Sequence, residues 1–489
     1  MELGIKDFNE ETIRQLFGNE AAEDENIDRL LQYYVKGDIY EKMSSSIPLY
    51  ILVGHKGVGK SALLKILQKE DVEKENISIS IQPDDIIELD IHTDNFNKRI
   101  RDWKDGLSKI IFQKIIESIS TSDYLNRNPW VEKFSTLLFS IVGKKVNELQ
   151  KETITMSSKD FTTLFKNIIF TEKIITVYID DLDRGWENTQ NDIKNISALL
   201  NSIRDLSREI PNLRFRVALR SDVYYSVRTS DESTDKIEGC VLWQYWSNHE
   251  IMVMLIKRIE TYFGRDINEK ELLEKKQKDI KHYLDSVFEE RFKGKGHWDN
   301  APIYQVLMSL IRKRPRDLIK LCTLAARNAK KFSHSKIQTS DLEESFNEYS
   351  AGRLQDTINE YASELTKIED LLLKMRPTKK ELESGSPCLF SRDKLINKLN
   401  NILSMSNYTF NGNKVVTAQN LAAFLYKINF LTARKDKDEE IQRSYYDENR
   451  YLANEFSDFG YSYEIHPAYR WALQPSNIED LFYQISLEE

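Results

Sequence analysis

"VGHKGVGKSALL", residues 53–64, is the stretch that decides the fold of this chain. Three of the 17 glycines fall within six positions of it, at Gly54, Gly57 and Gly59. The preceding run, PLYILVG, is typical of a buried strand, and the following run, KSALLKILQKE, has the apolar stripe of an amphipathic helix. The glycines therefore stand at a strand-to-helix turn, where they permit backbone angles that a side chain would forbid.

This turn has the properties of an anion cradle. Successive backbone N–H groups can point at one centre, and the helix N-terminus adds a partial positive charge. Residues 54–61 match the phosphate-binding pattern G-x-x-x-x-G-K-[ST] in full, with a lysine to reach terminal phosphates and a serine hydroxyl to bind Mg²⁺. No role is assigned to the side chains of His55 and Lys56, which occupy variable positions of the pattern. The predicted phosphate-binding positions are Gly54, His55, Lys56, Gly57, Val58, Gly59, Lys60, Ser61 and Ala62.

Composition limits the class of protein. The chain has 489 residues, of which 40% are hydrophobic and 11% aromatic, as in a globular protein with about two to four domains. Its net charge of −8 gives no general argument for nucleic acid or an anionic membrane as partner. The three cysteines lack zinc-like spacing and indicate a reducing compartment. The acidic N-terminus and the short apolar run at 134–143 predict a cytoplasmic protein without a membrane partner.

The sequence pattern predicts an α/β protein with a parallel-sheet P-loop core, because strand-like and helix-like runs alternate after the glycine turn. A wholly helical region follows and is interpreted as a lid. The last region has short helices followed by β-like runs, which favours a winged-helix-like α+β module. We expect its charged run at 432–450 to be an exposed mobile loop. The predicted domains are an N-terminal helical segment at 1–46, the core at 47–250, the lid at 251–345 and the C-terminal region at 346–489.

"VYIDDLDR", residues 177–184, supplies the acids that a phosphate site requires. An apolar strand runs into Asp180 and Asp181, which is the Walker B arrangement, at the strand end where open parallel sheets bind ligands. We assign Asp180, together with Ser61, to Mg²⁺, and Asp181 to orienting the attacking water. The alternative is that Asp181 or Asp183 merely caps the following helix, and for Asp183 that alternative is preferred.

Basic residues form the third group of candidates. Arg220 ends the strand in "VALRSD", from which a guanidinium can reach a γ-phosphate; the alternative is a surface ion pair. Arg228 is either a finger acting on a neighbouring subunit or a solvated side chain. In "RKRPRDLIKL", Arg316 is our candidate for reaching the nucleotide from the lid; the basic run can also be a nucleic-acid patch or ordinary solvated surface. His466, a lone histidine, is interpreted as structural.

These motifs, taken in order with "LWQYWSNHEIMVMLIKRI", resemble prokaryotic P-loop ATPases of the additional-strand class, which includes AAA+ and STAND-type signalling ATPases. The resemblance covers about residues 15–345. It implies five parallel core strands, with an extra strand between the P-loop and Walker B strands, followed by a helical lid and a winged-helix-like region. It also implies that Arg220 reads the γ-phosphate and that Arg316 is a second sensor. Asp181 stands where AAA+ enzymes carry Glu, which favours a slow switch over a processive motor.

The first functional hypothesis is a Mg²⁺-dependent ATPase that acts as a conformational switch, with Asp181, Lys60 and Arg220 as catalytic residues. Its expected partners are ATP and either copies of itself or a separate effector, and the family analogy favours phage defence. The second hypothesis is a DNA-binding AAA+-like loader or regulator, which the negative charge disfavours. The third is a scaffold that holds nucleotide without hydrolysing it. No base-reading motif distinguishes ATP from GTP.

Overall fold

The computed structural model divides into two compact units. We call residues 36–244 the sheet unit, and residues 1–35 together with 245–489 the second unit. The apolar run at 134–143 lies outside the described residues, apart from Phe139. The structure describes residues 5, 7–21, 24–87, 89, 91, 93–120, 139, 159, 162–163, 174–230, 235–411, 415–437, 440–454, 460–476 and 478–488.

Five parallel strands form the centre of the sheet unit, in the order β2-β3-β4-β1-β5. Strand β4 therefore lies between β1, which precedes the glycine turn, and β3, which precedes the Walker B acids. This arrangement confirms the predicted extra strand and the P-loop fold of the additional-strand class. The strands are β1 (Leu49–Gly54), β2 (Ile77–Ile81), β3 (Ile175–Ile179), β4 (Leu213–Arg220) and β5 (Val241–Trp243).

The central strands are continuous apolar runs because helices cover them. All five residues of β3 are buried, as are all but one of the six in β1. The helix that follows the glycine turn, Lys60–Glu73, is called the P-loop helix and packs against β1, β3 and β4. The other described helices of the unit are Asp38–Ser44, Pro83–Ile87, Phe96–Ser120, Gln190–Glu209 and Ser221–Ser230, with a 3₁₀ turn at Glu238–Cys240.

The N-terminal segment predicted at 1–46 is shared between the two units. Helices Glu10–Phe17 and Ile27–Tyr33 bury apolar faces against the helix Asn248–Tyr262 of the second unit. Residues 36–46 belong instead to the sheet unit, where the helix Asp38–Ser44 contacts the P-loop helix. The predicted boundaries at 250/251 and 345/346 both lie within helices, and the four-domain division stays a proposal.

Helices make up the part of the second unit that was interpreted as a lid. A short antiparallel hairpin of β6 (Arg291–Lys293) and β7 (Asp299–Pro302) interrupts them. Within the described residues, no helix is long and apolar enough to cross a bilayer. The helices are Asn248–Tyr262, Glu269–Glu274, Gln277–Ile280, Ile303–Leu310, Pro315–Lys331 and Thr339–Tyr361, with 3₁₀ turns at Lys281–Ser286 and Gly296–Trp298.

An antiparallel sheet in the order β10-β9-β11-β8 organises the C-terminal α+β region. The prediction of an exposed loop at 432–450 is wrong, because β9 and β10 form a hairpin whose arginines Arg434 and Arg443 bind the buried Glu464. The strands are β8 (Leu389–Phe390), β9 (Leu431–Lys437), β10 (Glu440–Ser444) and β11 (Ser462–Ile465). The helices are Ile368–Lys374, Lys379–Leu382, Arg392–Met405, Ala418–Lys427, Tyr451–Asn454, Arg470–Leu473 and Ile478–Gln484, with a 3₁₀ turn at Pro467–Tyr469.

Candidate functional site

The glycine turn connects the end of β1 directly to the P-loop helix, and its glycines are required for two different reasons. Gly57 and Gly59 have φ angles of 85° and 93°, in the left-handed region that side chains disfavour. Gly54 is required by a close approach instead. A Cβ at Gly54 would lie 2.8 Å from the carbonyl oxygen of Gln244 and 2.9 Å from Cγ2 of Val58. The turn is therefore fixed both by its backbone angles and by its contact with the residue that follows β5.

Lys60 and His55 fix the inside of the turn. The Lys60 ammonium donates hydrogen bonds to the carbonyl oxygens of Gly54 and His55, at 2.9 and 3.1 Å. The buried ring of His55 lies with Nδ1 3.2 Å from Oγ of Ser221, the residue that directly follows β4. Sequence analysis assigned no role to the His55 side chain. In the structure this side chain connects the glycine turn to the end of β4.

Asp180 and Ser61 lie side by side, as the sequence predicts for a metal-binding pair. The Ser61 hydroxyl lies near the Asp180 carboxylate and favours its ionised form, and the backbone N–H of Asp181 donates to Oδ1 of Asp180 at 2.9 Å. Burial raises the pKa of Asp180, although the Ser61 hydroxyl and the Lys60 charge act in the opposite direction. A nearby cation would favour the ionised form of this carboxylate.

The donor set fits Mg²⁺, which prefers oxygen ligands and is typically held by one or two carboxylates together with substrate phosphates. The Ser61 hydroxyl and the Asp180 carboxylate are such oxygens, at the mouth of the glycine turn. Among the described residues there is no group of three or more His, Cys, Asp or Glu side chains that could hold a metal. A site completed by phosphate oxygens does not need such a group.

Asp181 adopts a left-handed backbone conformation, with φ of 57°, which is uncommon for a residue other than glycine. Such conformations cluster at functional sites, where the surrounding structure holds them. The alternative that Asp181 or Asp183 caps the following helix is wrong. That helix, Gln190–Glu209, is capped by Thr189, which forms a capping box with Asp192.

Arg220 lies beside the glycine turn, because its position in β4 is paired in register with Gly54 of β1. Its Nε and Nη2 donate to the two oxygens of Asp222, at 3.0 and 2.6 Å, while Nη1 donates to Asp183 at 3.2 Å. Arg220 is thus in an ion pair, but at the inner edge of the site rather than on open surface, with a side chain only 15% exposed. Sequence reasoning missed Asp222 and the contact of Asp183, although "DLDR" and "RSD" contain both acids.

The two remaining candidate arginines have local partners. Arg228 pairs with Glu238 at 2.7 Å in a half-exposed ion pair of the sheet unit. Arg316 belongs to the second unit, where its Nε donates to the backbone carbonyl oxygen of Glu20 at 3.2 Å. The predicted roles of Arg228 on a neighbouring subunit and of Arg316 at the nucleotide stay predictions.

Most of the basic run around Arg316 is paired with carboxylates of the second unit. Arg312 and Arg314 are buried and pair with Asp317 at 2.7 Å and Glu360 at 3.0 Å. Lys313 pairs with a glutamate of the C-terminal region at 2.6 Å. Three of the four charges are therefore neutralised inside the second unit, by carboxylates whose positions the local sequence pattern does not reveal.

His466 has the structural role that the sequence predicts. It is fully buried, with Nδ1 accepting a hydrogen bond from the Ala468 N–H at 3.0 Å and Nε2 2.8 Å from the Tyr445 hydroxyl. Burial lowers the pKa of His466 well below its usual value, so the ring is neutral and its Nε2–H donates to the tyrosine.

Comparison with known proteins gives one family match. A family model described as the FunZ-associated C-terminal helical domain matches residues 249–358, which is less than a quarter of the chain. This part of the chain is helical in the structure, apart from its short hairpin. No curated protein sequence matches the chain.

Several solved structures are similar in fold at low sequence identity. The Walker-type ATPase PABY2304 of Pyrococcus abyssi is 12% identical, with a TM-score of 0.39 over 84% of this chain and 93% of its own. The ORC2 protein of Aeropyrum pernix, in ADPNP–ADP complexes, is 12% identical, with a TM-score of 0.42 over 92% of this chain and 94% of its own. AMPPCP-bound DnaA from Aquifex aeolicus is 11% identical, with a TM-score of 0.29 over 71% of this chain and 76% of its own.

Proposed function

We propose that this chain is a Mg²⁺-dependent ATPase that acts as a nucleotide-driven conformational switch. One observation carries the proposal: the Ser61–Asp180 pair lies at the mouth of a glycine turn whose left-handed residues lead directly into the P-loop helix. Backbone N–H groups, an ammonium group and a metal-binding oxygen pair then converge on one small volume. This combination suits a nucleoside triphosphate better than an uncharged ligand.

In the first step of binding, the backbone N–H groups of residues 54–62 donate hydrogen bonds to the phosphate oxygens of ATP. The Lys60 ammonium exchanges its carbonyl partners, Gly54 and His55, for phosphate oxygens, which are stronger charge-assisted acceptors. Ser61 and Asp180 would hold Mg²⁺. When bound, the metal would neutralise phosphate charge and polarise the bond to the γ-phosphate.

Hydrolysis uses residues from two neighbouring strands. Asp181, which follows β3, orients the attacking water and accepts its proton late in the reaction. Arg220, at the end of β4, contacts the γ-phosphate and loses this contact when the phosphate leaves. Arg316 of the helical lid is proposed as a second contact, so that the triphosphate closes the lid and its hydrolysis releases it.

The enzyme claim is tested by ATP turnover in wild type and in Asp181→Asn. We expect the variant to lose about 10²- to 10⁴-fold in kcat while its ATP affinity changes by less than about threefold. Lys60→Ala is the matched control and should lose ATP affinity by about 100-fold or more, because phosphate charge is left without its cation. If wild type hydrolyses ATP no faster than Asp181→Asn, alone and with partners, the non-hydrolysing scaffold is the better account.

The biological setting rests on the sequence resemblance alone. We propose a STAND-like switch in prokaryotic antiviral defence that self-associates or signals to a separate effector. The C-terminal α+β region, interpreted as winged-helix-like, would pass the conformational change on. The alternative of a DNA-binding AAA+-like loader predicts DNA affinity that falls steeply with salt. Internal pairing of Arg312, Lys313 and Arg314 makes this alternative weaker, since these charges are not available to phosphates.

A further inference from the structure

The guanidinium of Arg220 is held by two carboxylates in unequal ways. Asp222 binds it through two hydrogen bonds, to Nε and Nη2, and its side chain is only 3% exposed. Asp183 binds it through one longer hydrogen bond, to Nη1, and its side chain is 17% exposed. Among the described residues, the guanidinium thus has one bidentate carboxylate partner and one partner held by a single bond.

We propose that Asp183 occupies the position of the γ-phosphate on Arg220 and is replaced by it when ATP binds, whereas Asp222 holds the guanidinium in both states. This inference rests on the proposed function, since it requires ATP in the glycine turn. It makes Asp183 a positioning residue that determines how strongly the chain distinguishes ATP from ADP. ADP has no γ-phosphate and leaves the Arg220–Asp183 bond intact.

Burial decides which of the two carboxylates leaves. A buried carboxylate that loses its partner retains its full desolvation cost, which makes release of Asp222 unfavourable. Asp183 already reaches solvent and gives up one hydrogen bond rather than a bidentate pair. The fork geometry of Asp222 also keeps the plane of the guanidinium fixed, so that Nη1 stays directed at the exchange position.

The exchange also connects the γ-phosphate to the turn that holds the metal and water residues. Asp183 lies three residues after Asp180 and two after Asp181, in a turn closed by the Arg184 N–H bond to the Asp181 carbonyl oxygen at 2.9 Å. While Arg220 holds Asp183, this turn is tied to the end of β4. Loss of that bond frees the turn in the ATP state only, and hydrolysis restores it.

The experiment measures equilibrium dissociation constants for ATP and ADP, with Mg²⁺, in an Asp181→Asn background that prevents turnover. Adding Asp183→Asn removes the competing charge, and we expect ATP affinity to rise roughly three- to tenfold while ADP affinity stays unchanged. Adding Asp222→Asn instead should lower ATP affinity and leave ADP affinity unchanged, because the guanidinium loses its orientation. The two variants make the same chemical change on either side of one arginine.

A double-mutant cycle that combines Asp183→Asn with Arg220→Gln tests whether the effect of Asp183 depends on Arg220. In that background Asp183→Asn should no longer change the ratio of ATP to ADP affinity. The inference is overturned if Asp183→Asn, in the protein that retains Arg220, leaves the ratio of ATP to ADP affinity unchanged or lowers it. This includes the case in which both affinities fall together because the turn is loosened. If the Asp181→Asn protein binds no ATP at all, the proposed function itself fails. Failure of the proposed function is thus distinguishable from failure of the inference about Asp183.

Discussion

Two arginine–carboxylate clusters of this chain differ in burial. In the sheet unit, one guanidinium, that of Arg220, faces the carboxylates of Asp183 and Asp222. In the second unit, the carboxylate of Asp317 binds the guanidinium groups of Arg312 and Arg353, both at 2.7 Å, and Arg353 also pairs with the half-exposed Asp356 at 3.0 Å. The first cluster is partly exposed and contains one weakly held bond, whereas Arg312, Asp317 and Arg353 are each at most 4% exposed. Similar chemistry therefore gives an exchangeable site in one place and a fixed structural element in the other.

Burial determines this difference, because it sets the cost of leaving a charge without its partner. The hydrogen bonds of Arg312 also extend to the Thr357 hydroxyl at 2.8 Å and the Tyr469 hydroxyl at 3.0 Å, which connects three elements of the second unit. The charges of Arg312 and Arg353 hold the pKa of Asp317 far below its usual range, despite its burial. A ligand has no access to a cluster of this kind, and its loss is expected to change stability rather than binding.

The largest effect is expected from Asp317→Asn. This change leaves the buried guanidinium of Arg312 without a carboxylate and Arg353 with only the half-exposed Asp356, and we expect the free energy of unfolding to fall by about 3–5 kcal/mol. Urea unfolding of the full chain measures it. The matched control, Asp183→Asn, makes the same change in the partly exposed cluster of Arg220, where only one hydrogen bond is lost, and should cost less than about 1 kcal/mol. Equal losses in the two variants would contradict the comparison.

The pH dependence of that loss sharpens the same comparison. The folded-state pKa of Asp317 is lowered, so its contribution to stability is complete above the ordinary value of 3.8 and is lost as the pH falls below it. The stability difference between wild type and Asp317→Asn should be constant from about pH 5 to 8. It should then narrow by about 1.4 kcal/mol for each pH unit below about 3.8. A difference that widens on acidification would show that the carboxylate is not the stabilising group.

The smallest effect concerns the backbone of the glycine turn. Gly59→Ala places a side chain at a φ of 93°, and we expect it to destabilise the sheet unit by about 1–2 kcal/mol and to weaken ATP binding. The control is Gly352→Ala in the helix Thr339–Tyr361, where an added Cβ meets no atom within 4 Å. It should stabilise the chain by about 0.5–1 kcal/mol. Thermal unfolding of both variants checks the opposite signs, and a shared sign would contradict this account of the turn.

Local patterns predicted the sheet unit well. The apolar runs before Gly54 and Asp180 are strands, and the helix predicted after the turn begins at Lys60. The resemblance correctly implied the extra strand, β4. These features could be predicted from the sequence because strand, turn and helix preferences depend on a few neighbouring residues.

Ion pairs between residues that are far apart in the sequence could not be predicted from local patterns. Arg434 and Arg443 were interpreted as part of an exposed run, but their carboxylate partner, Glu464, lies at least 20 residues further along the chain and is fully buried. The partner of Arg314 is similarly distant in sequence, at Glu360. A charged run therefore predicts a solvated surface only where the fold brings no opposite charge to it.

The most direct test of the central claim is the effect of Mg²⁺ on ATP binding, measured by titration calorimetry in wild type and in Asp180→Asn. The account predicts that wild type binds ATP more tightly with Mg²⁺ than without it, and that Asp180→Asn binds ATP but gains little from the metal. Lack of ATP binding by wild type at millimolar concentration would contradict the account. So would a gain from Mg²⁺ in Asp180→Asn that equals that of wild type.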